Sequence, residues 1–184
     1  PTTAHLFFSL PSGSAIYLLC VDGCNLTDLI KLEGGLGPEA FASHGLSVSA
    51  DGLAWSGRDG IFVAGVDVST PGRLSDTTQF GQPLGLSFTS YGIFCTVQSQ
   101  PDIFAIQPGT ADPIVQGAGR PLGITASGPK TIWTDPSQDA IYTSDVWPLP
   151  SHHTKLIDLN AIFGPADHNP TGITTANSRL FWAD

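Results

Sequence analysis

The stretch Thr131-Ile132-Trp133-Thr134-Asp135 decides how this chain folds, because it recurs along the sequence. A closely similar stretch, Leu180-Phe181-Trp182-Ala183-Asp184, stands at the end of the 184 residues. Aligning other segments on the tryptophan gives a set of repeat-equivalent anchor positions. These anchors are Phe8, Trp55, Cys95, Trp133 and Trp182. The chain is therefore built from one repeating unit.

The surroundings of the anchors repeat as well. A glycine followed by Leu or Ile stands ten residues before each of the last four anchors, at Gly45, Gly85, Gly123 and Gly172, with spacings of 40, 38 and 49 residues. An Ile-aromatic pair follows, with its aromatic residue seven to nine residues after an anchor, at Ile16-Tyr17, Ile61-Phe62, Ile103-Phe104 and Ile141-Tyr142. A third apolar segment follows at Leu29-Ile30, Ile114-Val115 and Leu156-Ile157, with a weaker version near Leu74. A period near 40 built from four short alternating strands is typical of a propeller blade.

The composition also favours strands and turns. The chain contains 21 Gly and 15 Pro, and only two of its 16 acidic residues are Glu, the acidic residue that favours helices. We predict an all-β fold, a β-propeller of repeated four-stranded blades of about 40–47 residues. The chain should hold four to five repeat units, near residues 1–37, 38–80, 81–118, 119–165 and 166–184, with incomplete terminal units. Each unit should run A-B-C-D, with the repeated glycine before strand A, the anchor in B and the Ile-aromatic pair in C.

The repeat resembles a known family of repeats. Ile132-Trp133-Thr134-Asp135 and Phe181-Trp182-Ala183-Asp184 resemble the motif of the YWTD β-propeller repeats of the low-density-lipoprotein-receptor type. The upstream Pro-x-Gly-Ile and the downstream Ile-aromatic pair match that repeat too. Similar units occur in bacterial secreted propeller repeat proteins, where a Cys-x3-Cys loop like that of Cys20 and Cys24 can follow strand C. The resemblance covers nearly the whole chain, although only two of its five units carry the Trp-x-Asp.

The terminal units are expected to be incomplete. The first begins at strand B, and the last contains strands A and B. Three arrangements are open: a four-bladed ring in which the last A strand completes the first unit, a segment of a longer propeller, or a ring completed by another chain. The Trp-x-Asp at Asp184 predicts a following strand C, which favours the second and third arrangements.

Charge and hydropathy exclude several classes of partner. The net charge is −9, with seven basic residues, so we expect no binding to nucleic acid and no attraction to anionic membranes. No apolar run is long enough to insert across a bilayer.

The cysteines and one sequon bear on the compartment. Cys20 and Cys24 flank an Asp-Gly turn and are predicted to form a small disulfide loop. Asn25-Leu26-Thr27 is a glycosylation sequon at Asn25. Together they favour a secreted or extracellular/periplasmic protein. Cys95 occupies an anchor position and is expected to be an inert buried thiol.

The loops of one face are the predicted binding region, since strand direction places the D-to-A and B-to-C loops together. Polar and charged side chains on these loops are the candidate binding residues. They are His44, Arg58, Asp59, Arg120, Asp167, His168 and Asn169, with Gln82, Gln100 and Gln138 on the same loops. The aromatic anchors are predicted to be inter-blade core. Asp135 and Asp184 are expected to accept backbone N–H bonds from the turn after strand B.

Three functions are considered. The first is a non-enzymatic binding or scaffold module that presents its loops to a protein or to a small-molecule or glycan ligand. The second is a metal-dependent lactonase- or lyase-like enzyme, which would need a central cation such as Ca²⁺, and whose nearby candidate ligands Glu39, Asp167 and Asn169 form no repeated pattern. The third is a structural subunit that assembles through its incomplete terminal blades. Because no catalytic motif is present, we predict the binding module, without a cofactor, and keep the other two as alternatives.

Overall fold

The computed structural model describes residues 5–9, 16–20, 30–32, 45–58, 60–65, 71–77, 81–146, 152–166 and 168–183, with side chains described from residue 45 onward. These residues form five antiparallel sheets, each from consecutive strands. The predicted all-β fold is confirmed. None of the helices in these ranges is long and apolar enough to cross a membrane.

Each sheet corresponds to one repeat unit, which we call a blade. Blade 1 contains β1 (His5–Ser9), β2 (Ile16–Cys20) and β3 (Ile30–Leu32). Blade 2 contains β4 (Leu46–Ser49), β5 (Gly52–Ser56), β6 (Gly60–Ala64) and β7 (Gly72–Asp76). Blade 3 contains β8 (Pro83–Thr89), β9 (Gly92–Val97), β10 (Ile103–Gln107) and β11 (Thr110–Val115). Blade 4 contains β12 (Ile124–Ser127), β13 (Lys130–Asp135), β14 (Ala140–Asp145) and β15 (His153–Asp158), and is followed by helix α1 (Leu159–Phe163). Blade 5 contains β16 (Ile173–Ala176) and β17 (Arg179–Trp182). The strands pair in the predicted A-B-C-D order.

The anchors form the core between blades. Trp133 is fully buried and shares an apolar cluster with Phe94 and Val115 of the preceding blade. Because side chains alternate along a strand, the residue before each anchor points to the following blade. Ala54 accordingly packs in a cluster with Leu86 of blade 3. The prediction that the anchors are inter-blade core is confirmed for Cys95 and Trp133, whereas Trp182 is only partly buried and the side chain of Phe8 lies outside those described.

The repeated glycines allow neighbouring A strands to approach closely. A Cβ atom at Gly45 would lie 2.5 Å from the carbonyl oxygen of Leu84, the residue that precedes the next repeated glycine. Gly85 and Gly123 make the equivalent close approach to the carbonyls that precede Gly123 and Gly172. A side chain would push the blades apart at these positions, and this accounts for the glycine in the repeat.

A buried hydroxyl links each complete blade to its surroundings. Thr96 Oγ1 accepts the N–H of Gly85 at 2.9 Å and donates to the carbonyl of Leu122 in the following blade at 2.6 Å. Thr134 repeats the first bond, to the N–H of Gly123 at 2.9 Å. The residues at this position directly follow the anchors, and in the complete blades they are Ser56, Thr96 and Thr134.

A β-bulge repeats at the Ile-aromatic pair. The pairing of strands C and D shifts register within that pair in all three complete blades, at Ile61/Phe62, Ile103/Phe104 and Ile141/Tyr142. In blade 4, Ile141 pairs with Ile157 while Tyr142 pairs with Lys155, so Leu156 is the extra residue. The bulge increases the local twist, which suits the outer strand of a blade.

The first and last blades do not share a sheet. Among the described strands, β16 pairs with β17, and β1, β2 and β3 form a separate sheet. The four-bladed ring, in which the last A strand completes the first unit, is therefore wrong for this structure. The side of β17 that corresponds to an inter-blade face is open. Phe181 is 50% exposed, whereas the equivalent Ala54, Phe94 and Ile132 are 0%, 1% and 8% exposed.

The cysteine and sequon predictions have different outcomes. Cys95 is a free thiol and is fully buried, as expected. Burial raises the pKa of this thiol to about 12, because the thiolate would lose its hydration. Cys24 and Asn25 lie outside the described residues. The Cys20–Cys24 disulfide and the glycosylation of Asn25 therefore stay predictions.

A candidate binding cavity on the loop face

Loops of blades 3 and 4 line an open cavity of about 840 Å³. Its wall comes from the B-to-C loops near residues 98–102 and 136–138, from the D-to-A loop that leads into blade 4 near residues 116–123, and from the loop before blade 5. The wall residues are Leu84, Val97, Gln98, Ser99, Gln100, Pro101, Gly119, Arg120, Pro121, Leu122, Pro136, Ser137 and Asn169. A volume of this size is typical of sites for small molecules.

Part of the wall is apolar and continues toward the starts of the A strands. Leu84 and Leu122 line both this cavity and a second one of about 440 Å³. The second cavity is bounded by the repeated glycines and the Leu or Ile that follows each of them. An apolar group that enters the first cavity can therefore lie against Leu84 and Leu122, which are partly exposed.

The rest of the wall offers hydrogen-bonding groups. Gln98 and Gln100 come from the B-to-C turn of blade 3, where Ser99 adopts a left-handed conformation with φ 64°. Asn169 reaches the same cavity from the loop before blade 5. Amide side chains donate and accept hydrogen bonds, so they bind polar groups of either kind.

Asp135 ties two of the cavity loops together. Its carboxylate is fully buried. Oδ1 accepts the backbone N–H of Ser137 at 2.9 Å and the Ser137 hydroxyl at 2.6 Å, while Oδ2 accepts the backbone N–H of Arg120 at 3.2 Å. A Cβ atom at Gly119 would collide with Oδ2, so only glycine leaves room for the carboxylate there. The prediction of accepted turn N–H bonds is confirmed for Asp135, and it stays a prediction for Asp184, which lies outside the described residues.

The long loop before blade 5 is held by side-chain hydrogen bonds. Asp158 caps α1 by accepting the N–H of Ala161 at 3.1 Å. The Asn160 side chain donates to Asp139 at 3.0 Å and accepts the N–H of Ala166 at 3.3 Å. Because Asp139 follows the B-to-C turn of blade 4, Asn160 fastens the loop that carries Asn169 to the neighbouring cavity loop.

Comparison with known proteins identifies the fold. No protein-family model matches the sequence, and no curated protein matches it. A chain of the nidogen/laminin complex matches with a TM-score of 0.72 and 16% identity, covering 98% of this chain and 85% of that one. Streptogramin B lyase matches with a TM-score of 0.70 and 14% identity, covering 98% of this chain and 59% of that one. The PQQ-bound aldose sugar dehydrogenase of Streptomyces coelicolor matches with a TM-score of 0.66 and 14% identity, covering 97% and 68%.

This chain has the β-propeller fold. One of these three matches is a chain from a complex of two proteins, and the other two are enzymes. All three are less than 20% identical to this chain. They therefore settle the fold of this propeller and leave its function to be argued from its own residues.

Two of the seven predicted binding residues meet at the propeller cavity. Arg120 and Asn169 line it, together with Gln100 from the same predicted loops. Arg58 lies in the B-to-C turn of blade 2 and is not part of this wall, and His168 instead contacts the Phe163 ring with the ring centroids 6.0 Å apart. The remaining three, His44, Asp59 and Asp167, lie outside the described residues. A binding role for any of the seven stays a prediction.

Some wall residues were not predicted from the sequence. Ser99 and Ser137 lie in B-to-C turns, and Gln98 precedes one of them. Their turns follow strand B directly. The polar run Gln98-Ser99-Gln100 therefore indicates a turn on the predicted face, and it could have identified these residues from the sequence.

The propeller axis offers few metal ligands in the described part of the chain. No group of three or more His, Cys, Asp or Glu side chains in that part could hold a metal ion. The cavity at the A-strand starts is lined by Gly, Leu, Ile and one Thr. Of the three candidate ligands from the sequence, Glu39 and Asp167 lie outside the described ranges. A central Ca²⁺ stays an untested alternative.

Proposed function

We propose that this propeller is a non-enzymatic binding module whose ligand occupies the cavity between blades 3 and 4. The observation that carries the proposal is the make-up of the cavity wall. Apolar side chains cover one part of it, and Gln98, Gln100 and Asn169 supply a few polar groups. Ligand sites in proteins combine these two kinds of lining, with the polar groups fixing orientation.

The chemistry of the wall supports binding over catalysis. The described wall contains no His, Cys, Lys, Asp or Glu, the side chains that most often act as general bases or nucleophiles. Ser137 is the one wall hydroxyl with a carboxylate partner, and it donates its proton to Asp135 in a bond that braces the loop. In this proposal the ligand is a small molecule, a glycan or a group of a protein partner, met outside the cytoplasm.

The test is to block the cavity without disturbing the fold. Gln100→Trp should fill the entrance and weaken the binding of any small-molecule hit by about tenfold or more, because the ligand and the indole compete for one volume. Gln107→Trp is the matched control, since Gln107 is exposed at the other end of β10. Hits from a small-molecule library would be detected by amide chemical shifts in NMR spectra. Hits that bind Q100W as well as the original chain would contradict the proposal.

A second candidate function is assembly with another chain through the open side of blade 5. Phe181 favours it, because the same position is covered by the next blade elsewhere in the propeller. Phe181→Asp should then abolish any concentration-dependent rise of the mass measured by light scattering. Phe163→Asp, at an equally exposed site on α1, should leave that rise unchanged. A mass of 19.2 kDa at every concentration would exclude self-assembly.

A further inference from the structure

We infer that the ligand class of this cavity is an organic carboxylate whose remaining part is apolar. The inference rests on the proposed function, because it names what the same cavity takes. It depends on three features of the described wall residues, which are one cation, several amide groups and an apolar side.

The cation is Arg120, and its surroundings leave its charge available to a ligand. Three other basic residues are engaged by carboxylates, since Arg73, Lys130 and Lys155 form ion pairs. Arg120 has no such partner among the described residues, and none of the described wall residues is acidic. The chain has 16 acidic residues against seven basic ones, so the lack of an acid among the described wall residues around an arginine is a specific feature of this site.

Asp135 is the acidic side chain that is hydrogen-bonded to the backbone of Arg120, and it is fully buried. Both oxygens of Asp135 accept hydrogen bonds from the protein, from Ser137 and from the backbone N–H of Arg120. This carboxylate is therefore committed to holding the loop. The overall charge of −9 acts at longer range and is screened by salt within about 8–10 Å, so contact with the guanidinium dominates in the cavity.

The remaining groups select the shape of the ligand. A guanidinium presents paired N–H donors that match the two oxygens of a carboxylate. Gln98, Gln100 and Asn169 can add neutral donors to the same anion. Leu84 and Leu122, which also line the second cavity at the starts of the A strands, would cover an apolar tail. A ligand that is polar throughout would leave these leucines against hydroxyl groups and forfeit that contribution.

Three six-carbon probes separate these contributions. Hexanoate has the anion and the apolar tail, hexanamide has the tail without the charge, and gluconate has the anion without the apolar tail. Each would be titrated at one fixed ionic strength of about 0.15 M, where the overall charge is screened, with binding followed by the side-chain amide signals of Gln98, Gln100 and Asn169. We expect hexanoate to bind about tenfold or more tightly than either of the others.

Two arginine variants complete the experiment. Arg120→Gln should remove the preference for hexanoate over hexanamide, and its backbone N–H, which Asp135 holds, is still present. Arg179→Gln is the control, because Arg179 is exposed at the start of β17, on the face opposite to the cavity, and should keep the preference. Matching thermal unfolding curves would show that both variants are folded.

Each outcome decides one point. Equal binding of hexanoate and hexanamide, blocked by Q100W, would overturn the anionic ligand class and leave the binding function standing. Equal binding of gluconate and hexanoate would overturn the apolar part. A preference for hexanoate that survives in R120Q would overturn the role of Arg120. No change in the wall signals with any of the three probes would overturn the inference, while a library hit blocked by Q100W would still uphold the binding function.

Discussion

Asp135 shows how one residue makes one pair of blades different from the others. The position that it occupies, two residues after the anchor, is Gly57 in blade 2 and Val97 in blade 3. Only the carboxylate can accept N–H bonds from two loops together, and it does so between Arg120 and Ser137. The cavity therefore lies beside the unit that keeps the Trp-x-Asp motif, whereas blades 2 and 3 depart from the motif at this position.

Cys95 is a second residue at which the repeat departs from its pattern. It replaces the large Trp55 and Trp133 of the adjacent blades at a fully buried anchor position. Its pKa is raised to about 12 by burial, so the thiol stays protonated in the folded chain well above the pH at which an exposed cysteine ionises. The reactive thiolate is thereby suppressed.

We predict that Cys95 lowers stability at high pH in a defined window. In the unfolded chain the thiol ionises near its ordinary pKa of 9.0, whereas in the folded chain it ionises near 12. Between these values the unfolded state holds fewer protons, so the free energy of unfolding should fall by about 1.4 kcal/mol per pH unit from this group alone. Below pH 9 the contribution is constant. Urea unfolding of the original chain and of Cys95→Ala, compared from pH 7 to 11, isolates it.

The effect of Cys95 is read from the difference between the free energies of unfolding of the two chains at each pH. Other groups titrate equally in both chains and cancel. Difference curves that stay flat from pH 9 upward would contradict the raised pKa. Modification of Cys95 by a thiol reagent should likewise be slow in the folded chain and fast in urea.

At the scale of elements, a buried hydroxyl directly after the anchor connects strand B to strand A in the three complete blades, and in blades 3 and 4 it also reaches the next blade. Thr96 makes both connections, accepting from Gly85 and donating to Leu122 at 2.6 Å. Both bonds lie close to the axis, where the A strands approach one another most closely. The hydroxyl thus satisfies backbone groups that the close approach would otherwise leave unpaired.

Thr96→Val is expected to destabilise the propeller by about 1–3 kcal/mol, since it leaves a buried N–H and a buried carbonyl without this partner. Thr96→Ser keeps the hydroxyl and should cost less, about 1 kcal/mol for the lost methyl group. Chemical unfolding measures both. A Thr96→Val chain as stable as the original would show that the hydroxyl contributes nothing and that Thr96 acts by packing alone.

The sequence predicted these elements well for a physical reason. Repeated blades place the same residue type in the same environment. The anchors, the glycines and the Ile-aromatic pairs therefore predict where the strands lie. The β-bulge falls within the Ile-aromatic pair in three blades. The pair marks the position of the bulge in the sequence, but its residue types do not explain why a bulge forms there. Helix α1 was not predicted, although the spacing of 49 residues before Gly172 and the capping Asp158 both mark an insertion. The cavity could not be predicted in full, because residues from loops far apart in sequence, such as Gln98 and Asn169, meet only in the folded chain.

At the scale of the molecule, the blades form a series in which each A strand packs against the next. The repeated glycine sets that distance. A Cβ atom at Gly85 would collide with the carbonyl of Leu122, whereas a Cβ atom at Gly172 would meet nothing within 4 Å. The two glycines occupy equivalent positions in the repeat, and neither has a positive φ that would itself require glycine. They differ only in whether a described blade lies beside them.

This difference makes a matched pair of substitutions. Gly85→Ala should destabilise the propeller by about 1–3 kcal/mol or more, because the methyl group must displace backbone between blades 3 and 4. Gly172→Ala should change the stability of the isolated chain by less than about 0.5 kcal/mol, since the methyl group enters open space. Urea unfolding of both variants and of the original chain, at one protein concentration, would give both changes in stability. Equal effects would show that the glycines serve the local backbone, and not the distance between blades. If another chain packs on the open side of blade 5, Gly172→Ala should weaken that association in light scattering while leaving the unfolding of the single chain unchanged.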